Sequence, residues 1–214
     1  MVSIELLGNL LPYGIGGNFI LLVIGLCSVV GIGVFFERWI YLKKADADTN
    51  ALILSLRDQI EKGNMIEALK VCETTGGSIA AILKAGLMKA SRGKETMENA
   101  MEIAGMMEIA SLERNAKILS VIAHIAPLIG LLGTVVGFIQ AFSEMKTSGL
   151  VDISANQIGE AMEYALVTTA AGLAVAIPTV IGYNYLVSRV EGFVLEMQTT
   201  SSEIIDIMMH QDAF

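Results

Sequence analysis

Hydrophobic positions in this chain fall into three long blocks separated by amphipathic stretches. No Asp, Glu, Lys or Arg occurs from Leu6 through Phe36, from Ile118 through Ser143, or from Tyr164 through Ser188. These uncharged runs of 31, 26 and 25 residues each exceed the roughly 20 that an α-helix needs to cross a bilayer. The pattern predicts an all-α integral membrane protein with transmembrane helices at 16–38, 118–143 and 159–188.

Between the first two blocks the apolar positions recur at helical spacing. Ile53, Leu56 and Ile60 share a face, Gly63-Asn64 interrupts it, and Met65–Thr74 forms a short second helix. Gly76-Gly77 then precede Ser78, an expected N-cap for a helix over Ile79–Ala90. From Glu95 to Phe142 the only proline is Pro127, so the second span is expected to continue a helix that starts outside the membrane. Met97, Met101, Ala104, Glu108 and Leu112 follow one face of it, which reads as helix packing. Ser154-Ala-Asn-Gln157 matches the capping-box pattern that opens a helix. From there to about Met209 only Pro178 intervenes, so the third span is also expected to run on. Val190, Phe193, Val194, Met197, Ile204, Ile205 and Met208 give its tail an apolar stripe that must pack against something.

Charge orients this arrangement. Of 14 Lys and Arg, 12 lie between Arg38 and Lys117, and the others are Lys146 and Arg189. Basic residues stay on the cytoplasmic side of spans. The expected order is therefore an N-terminal periplasmic-side segment 1–15, a cytoplasmic helical region 39–117, a short periplasmic loop 144–158 and a cytoplasmic C-terminal helix 189–214. The second and third spans would extend into a cytoplasmic helical stalk. Phe35, Phe36, Trp39 and Tyr41 suit an aromatic belt at the inner surface, with Tyr13 near the outer one. Glu5 is the only charge before residue 37 and the apolar run is long, which fits a retained span rather than a cleaved signal peptide.

Composition agrees: 54% of residues are hydrophobic and 17% charged, where soluble domains carry about 25% charged. A net charge of −8 argues against a nucleic-acid partner, which requires a concentrated basic face. Cys27 and Cys72 lie in different environments and offer no disulfide or metal spacing. Neither a GxSxG, an HExxH, a Walker loop nor a CxxC is present, so no catalytic constellation, metal or cofactor is expected and the chain reads as a non-enzyme.

Small and hydroxyl-bearing residues concentrate in the last two spans. Pro127, Gly130, Thr134, Gly137 and Ala141 recur every three or four residues in the second, and Ala165, Thr169, Gly172 and Ala176 repeat the pattern in the third. Small faces let helix backbones approach closely in lipid. The same faces, one threonine in each, would also suit a narrow polar path through an oligomer. Spacing alone leaves both readings open. His124 is the only Asp, Glu, Lys, Arg or His in the three uncharged runs, either an interfacial hydrogen-bonding residue or a proton relay. Glu144, Glu160 and Glu163 sit at the outer ends of the second and third spans. No carboxylate lies at mid-membrane, so a titrating group for proton passage would have to come from a partner.

The stretch Ala126-Pro-Leu-Ile-Gly-Leu-Leu-Gly-Thr-Val-Val-Gly137, together with Ala165-Leu-Val-Thr-Thr-Ala-Ala-Gly-Leu-Ala-Val-Ala-Ile-Pro178 and Tyr183-Asn184, resembles the MotA/TolQ/ExbB proton-channel family. Three spans with a large loop after the first resemble its ExbB/TolQ branch. The resemblance implies a multi-pass protein of the bacterial inner membrane, a homopentamer surrounding an ExbD/TolR-like dimer of single-span subunits. The partner's membrane aspartate would carry the ion, H⁺ or alternatively Na⁺, and the motor would energise TonB- or TolA-like proteins acting on the outer membrane. Thr134 and Thr169 match the family's pore-lining threonines. Pro127 and Pro178 match its motif prolines, and Gly130, Gly133, Gly137 and Gly172 fall in the same motifs as packing or hinge positions. Thr168 adjoins the path in this comparison. The family commonly places a glutamate directly before the Ala-Leu of the third span, where this chain has Tyr164. Glu160 or Glu163 could take that role at a vestibule, or it is absent. Two other functions fit the same residues: a sodium-driven gliding or flagellar-type stator subunit, and a non-conducting membrane scaffold.

Overall fold

The computed structural model describes residues 15–45, 49–148 and 155–211. Every regular element among them is helical. We number the α-helices α1 (Ile15–Ala45), α2 (Thr49–Glu61), α3 (Met65–Thr75), α4 (Gly77–Leu87), α5 (Lys94–Glu113), α6 (Ala116–Ser148) and α7 (Ala155–Gln211), with a 3₁₀ turn at Ala90–Arg92 before α5. Three of them, α1, α6 and α7, hold segments long and apolar enough to cross a membrane. The chain is an all-α membrane protein. Tyr13, Ser154 and the stretch 149–154 of the expected outer loop lie outside the described residues.

Two expectations about helix boundaries are corrected. The second span does not continue the preceding helix, because α5 stops at Glu113 and α6 starts at Ala116. Between them Arg114 is extended (φ −53°, ψ 137°) and Asn115 takes φ +64°, a left-handed conformation. Asparagine is among the few residues with a side chain that visit this region routinely, so Asn115 acts as the stop that no proline supplied. The second correction concerns Ser78, which is inside α4 rather than its cap. That helix opens at Gly77 behind Gly76, whose φ of +66° suits glycine, and no side chain caps it. It also ends at Leu87, before Ala90. The third span does run on without a break, through a helix of 57 residues that contains Pro178.

The chain divides into two compact units. One comprises the residues up to Phe36 together with Asn115–Asn184, and holds the apolar parts of α1, α6 and α7. Many of its large side chains face outward, among them Leu26, Val29, Leu128, Leu132, Ile139 and Ile177. Outward apolar surface is what a lipid solvent requires, and its core is correspondingly built from small residues such as Ala126, Ala141, Ala165 and Ala176.

The other unit comprises Glu37–Arg114 and Tyr185–Phe214. Its core is that of a soluble helical bundle: Leu52, Leu56, Ile60, Leu83, Met97, Leu112 and Ile204 are almost fully buried. The stripe expected on the tail of α7 is buried at Val190, Phe193, Met197, Ile204, Ile205 and Met208. In the Met97 face, Met101 and Leu112 are buried and Ala104 and Glu108 half-buried. The α1 end is fastened to α5 by Arg38, whose guanidinium donates to the Ser111 carbonyl (3.3 Å), pairs with Glu37 and lies over the Tyr41 ring at 4.7 Å. The Tyr41 hydroxyl meets Ser111 Oγ at 3.0 Å. Arg57 and Glu203 link α2 to α7 at 3.3 Å, and Lys84 reaches back to Glu73 at 2.7 Å. That lysine holds the Glu73 carboxyl below the usual carboxylate range.

Candidate functional site

The candidate site is built where α6 meets α7. A methyl group added to Gly130 would approach the Thr168 carbonyl oxygen to 2.9 Å, one on Gly137 the Ala161 carbonyl oxygen to 2.8 Å, and one on Gly172 the Ala126 carbonyl oxygen to 2.6 Å. Gly133 lies directly against the Thr168 side chain. Later residues of α6 meet earlier residues of α7, so the two helices are antiparallel. Glycines at these positions bring the backbones together, as small residues do in membrane helix pairs.

The packed faces are rotated from the expected ones at the threonines. On α6 the contact face contains Ala126, Gly130, Gly133 and Gly137, and on α7 it contains Ala161, Ala165, Thr168 and Gly172. Thr168 is fully buried and its hydroxyl donates within its own helix to the Ala165 carbonyl (2.9 Å). Thr134 and Thr169 are therefore displaced to the edge of the contact, where both are half-buried. At about 100° per residue each is turned about 60° from the centre of its face. Equal rotations in an antiparallel pair bring both to the same side.

Hydrogen bonds fix these two side chains. Thr169 Oγ1 donates across the pair to the Gly130 carbonyl at 3.1 Å, and Thr134 Oγ1 donates to the Leu131 carbonyl at 2.7 Å. The two acceptors are consecutive carbonyls of α6, one residue or ~1.5 Å apart along its axis. The first helix lies on the opposite edge. Gly31 of α1 faces Thr179 and Ile122, and Gly182 of α7 faces the Phe35 ring. Ile122 and Gly182 are turned about 60° and 80° from the packed faces in the sense opposite to the threonines.

The acidic candidates are not on the threonine edge. Glu160 and Glu163 are exposed and Tyr164 is buried, and helical rotation places Tyr164 and Glu160 toward the α1 side and Glu163 opposite the contact. Pro127 and Pro178 lie inside their helices. Lacking an N–H, they cannot donate to the carbonyls of Ala123 and Ala174 one turn earlier. Among the described residues no group of three or more His, Cys, Asp or Glu side chains is arranged to hold a metal ion.

A profile of the MotA/TolQ/ExbB proton channel family matches residues 75–199, a span that contains the whole α6–α7 contact. The chain belongs to this family. It is similar to a putative biopolymer transport protein ExbB homolog of Methanothermobacter thermautotrophicus, 29% identical over 189 residues that make up 88% of this chain and 66% of that protein. The biopolymer transport protein ExbB of Neisseria meningitidis is 30% identical over 183 residues, covering 79% of this chain and 80% of its own length. The Tol-Pal system protein TolQ of Haemophilus influenzae is 38% identical over 121 residues, 56% of this chain and 51% of that protein. These names place the chain on the ExbB/TolQ branch.

Ala126 opens the second-span motif but was not read as a packing position, and Ala161, which completes the packed face of α7, was not singled out at all. Their signal was a small residue one turn before each glycine or alanine already selected.

Proposed function

We propose that this chain is the pore-forming subunit of a proton-driven motor in a bacterial inner membrane. In this proposal it forms a pentamer around an ExbD/TolR-like dimer and energises a TonB- or TolA-like protein acting on the outer membrane. The observation that carries the proposal is the pair of hydroxyls, Thr134 and Thr169, on the one edge of the α6–α7 pair that α1 leaves open. Closing a ring of such pairs with that edge inward lines its axis with hydroxyl oxygens, while the greasy flanks of α1 face lipid.

Hydroxyls orient water or a hard cation but do not hold a proton at neutral pH. The runs Ile118–Ser143 and Tyr164–Ser188 contain no carboxylate, so the titrating group comes from the partner's membrane segment. Each charge crossing supplies ~2.3 kcal/mol per 100 mV, and a sequence of crossings drives one subunit against the other. The basic residues put the unit containing Glu37–Arg114 on the cytoplasmic side, with the chain's first residues on the periplasmic side. Glu160 and Glu163 then belong to the periplasmic rim.

The test is co-expression with a single-span partner bearing a membrane aspartate. Mass measurement of the purified complex should give five copies to two, and Thr134→Val and Thr169→Val should each abolish ion flux with the complex intact. Undiminished flux in both variants removes the pore assignment. A complete, functional homo-oligomer without a partner would favour a scaffold instead, and flux driven by Na⁺ but not H⁺ would favour a sodium-driven stator subunit.

A further inference from the structure

We propose that the groove between α5 and the tail of α7 docks a basic amphipathic helix, supplied by the cytosolic flank of the single-span partner. The inference rests on the proposed function for the partner's presence and adds the surface that receives it. The groove has a volume of about 520 Å³ and is lined only by residues of the unit that comprises Glu37–Arg114 and Tyr185–Phe214. Its floor is apolar, with Met101, Met197 and Ile205 buried along it. Methionine adapts to irregular contacts, which suits a surface that takes a partner's side chains. The rim is polar. Lys94, Glu98 and Glu102 follow at four-residue steps on α5, Gln198, Ser202 and Asp206 do so on α7, and all six are exposed. From Lys94 to Ile109 the lining runs ~22 Å along α5, about four turns. An apolar floor of that length between two polar ridges matches the apolar stripe of a helix rather than a compact metabolite.

Gly105 points to an occupant from outside the chain. It is half-buried in the lining near the middle of α5, and glycine is the poorest helix former after proline. A methyl added there would meet only Ile82 Cδ1, at 3.8 Å, an ordinary contact. At Gly86, by contrast, a methyl would strike the Met101 side chain. This chain's own packing thus demands glycine at 86 and not at 105, where the missing side chain keeps the floor open to what docks.

Charge selects the docked helix. Three carboxylates line the groove against one lysine, Lys94, whose Nζ lies 3.6 Å from Glu98. The rim therefore attracts Lys and Arg and repels anionic headgroups. A second copy of this chain has a net charge of −8, and its Arg57, Lys62, Lys70 and Lys84 already pair with its own carboxylates. A single-span subunit, whatever its orientation, has one cytosolic flank, and such flanks carry an excess of Lys and Arg. In the proposed complex that flank emerges on the side of the membrane where this unit lies.

The experiment uses the whole complex, co-expressed with the single-span partner bearing a membrane aspartate. A photo-reactive phenylalanine analogue replaces Met106 or Ser202 in the groove, or Met107, which is exposed and turned ~200° from Gly105 on α5. Irradiation should join the two groove positions, but not position 107, to the partner's cytosolic flank, identified by peptide mass. Glu98→Lys combined with Glu102→Lys should lower that yield at least about tenfold, because like charges then face each other. Gly105→Leu, which fills the floor, should lower it as well, while Gly105→Ala leaves the purified chain's unfolding temperature equal or higher. A groove crosslink to a second copy of this chain overturns the docking. So does the absence of a crosslink in a complex that retains the partner and conducts, and in both cases the pore reading stands. Equal labelling from position 107, or an undiminished yield after charge reversal, also overturns it. A chain that retains no single-span partner defeats the pore reading and this docking together.

Discussion

The Thr169 hydroxyl donates to the Gly130 carbonyl at 3.1 Å, joining two helices through residues 39 positions apart. The carbonyl belongs to one of the glycines at which the backbones approach, and the hydroxyl to the edge that α1 leaves open. Packing and candidate ion path therefore share a residue. Thr169→Val removes the donor while keeping the shape. Interhelical hydrogen bonds in membranes average about 0.6 kcal/mol, so the variant should lose less than about 1 kcal/mol in detergent unfolding, and Thr169→Ser should recover it. Equal loss in both variants would show that the bond is not the source.

Glycine at the α6–α7 contact is required by space. Gly172→Ala sets a methyl 2.6 Å from the Ala126 carbonyl oxygen, and Gly133→Ala sets one into the Thr168 side chain. Backbone cannot move aside as a flexible side chain can, so Gly172→Ala is expected to cost about 1–3 kcal/mol, the usual range for overpacking. Gly25 has nothing within 4 Å of an added methyl, and Gly25→Ala should be neutral or slightly stabilising. Thermal unfolding of the three variants checks the order, and a Gly172→Ala protein as stable as Gly25→Ala would contradict the close approach.

The three spans were legible because uncharged runs of this length have no other stable solvent. The α6–α7 pairing was legible in outline, since small residues recurred on one face of each helix. Its rotation was not: periodicity of three and four is satisfied equally by a face centred on Thr134 and by one centred on Gly133. Only the partner helix decides, and it selects glycine for the contact and leaves threonine on the edge. Arg38 was equally opaque, because its partner Ser111 is 73 residues away. The break at Asn115 carried a signal, a lone asparagine in a helix-forming stretch, but asparagine is tolerated within helices often enough that it does not announce a stop.

That break yields its own test. With φ at +64°, Asn115 occupies a region that costs a residue with Cβ roughly 1–2 kcal/mol. Asn115→Gly should match or exceed wild-type stability, whereas Asn115→Val should lose about 1–2 kcal/mol because a β-branched chain fits the left-handed region worst. Unfolding midpoints of the two variants separate them, and a stable Val variant would mean that α5 and α6 join into one helix.

The clamp at Ser111 should show coupling. Arg38 and Tyr41 both reach this residue, and the guanidinium lies over the Tyr41 ring. Tyr41→Phe keeps the ring and removes one hydrogen bond, for an expected loss of about 0.5–1.5 kcal/mol. Arg38→Met removes the charge together with the hydrogen bond to the Ser111 carbonyl and the pairing with Glu37, and should cost more. Groups that share a contact are not additive. The double variant should therefore lose less than the two singles combined, and strict additivity in the unfolding free energies would rule out a shared clamp.

Cys72 offers a chemical probe of the bundle formed by Glu37–Arg114 and Tyr185–Phe214. Its thiol is buried, and burial pushes its pKa up to about 11 from an ordinary value near 9. Desolvation disfavours the thiolate, an effect that the Lys84 charge only partly offsets. The thiolate is the nucleophile, and two pKa units lower its fraction about 100-fold at neutral pH. Alkylation of Cys72 at pH 8 should thus be at least ~100-fold slower than that of a free thiol, and should accelerate to the free rate when the bundle unfolds. The linkage has a definite sign. Below pH 9 both folded and unfolded states hold the proton and stability is unaffected; between pH 9 and 11 the unfolded chain releases it first, so stability falls as pH rises. Cys72→Ala should flatten that alkaline decline while creating a small cavity that lowers stability at neutral pH. Rapid alkylation of the folded protein at pH 8 would show that the thiol is open to solvent and that α3 packs more loosely than this core requires.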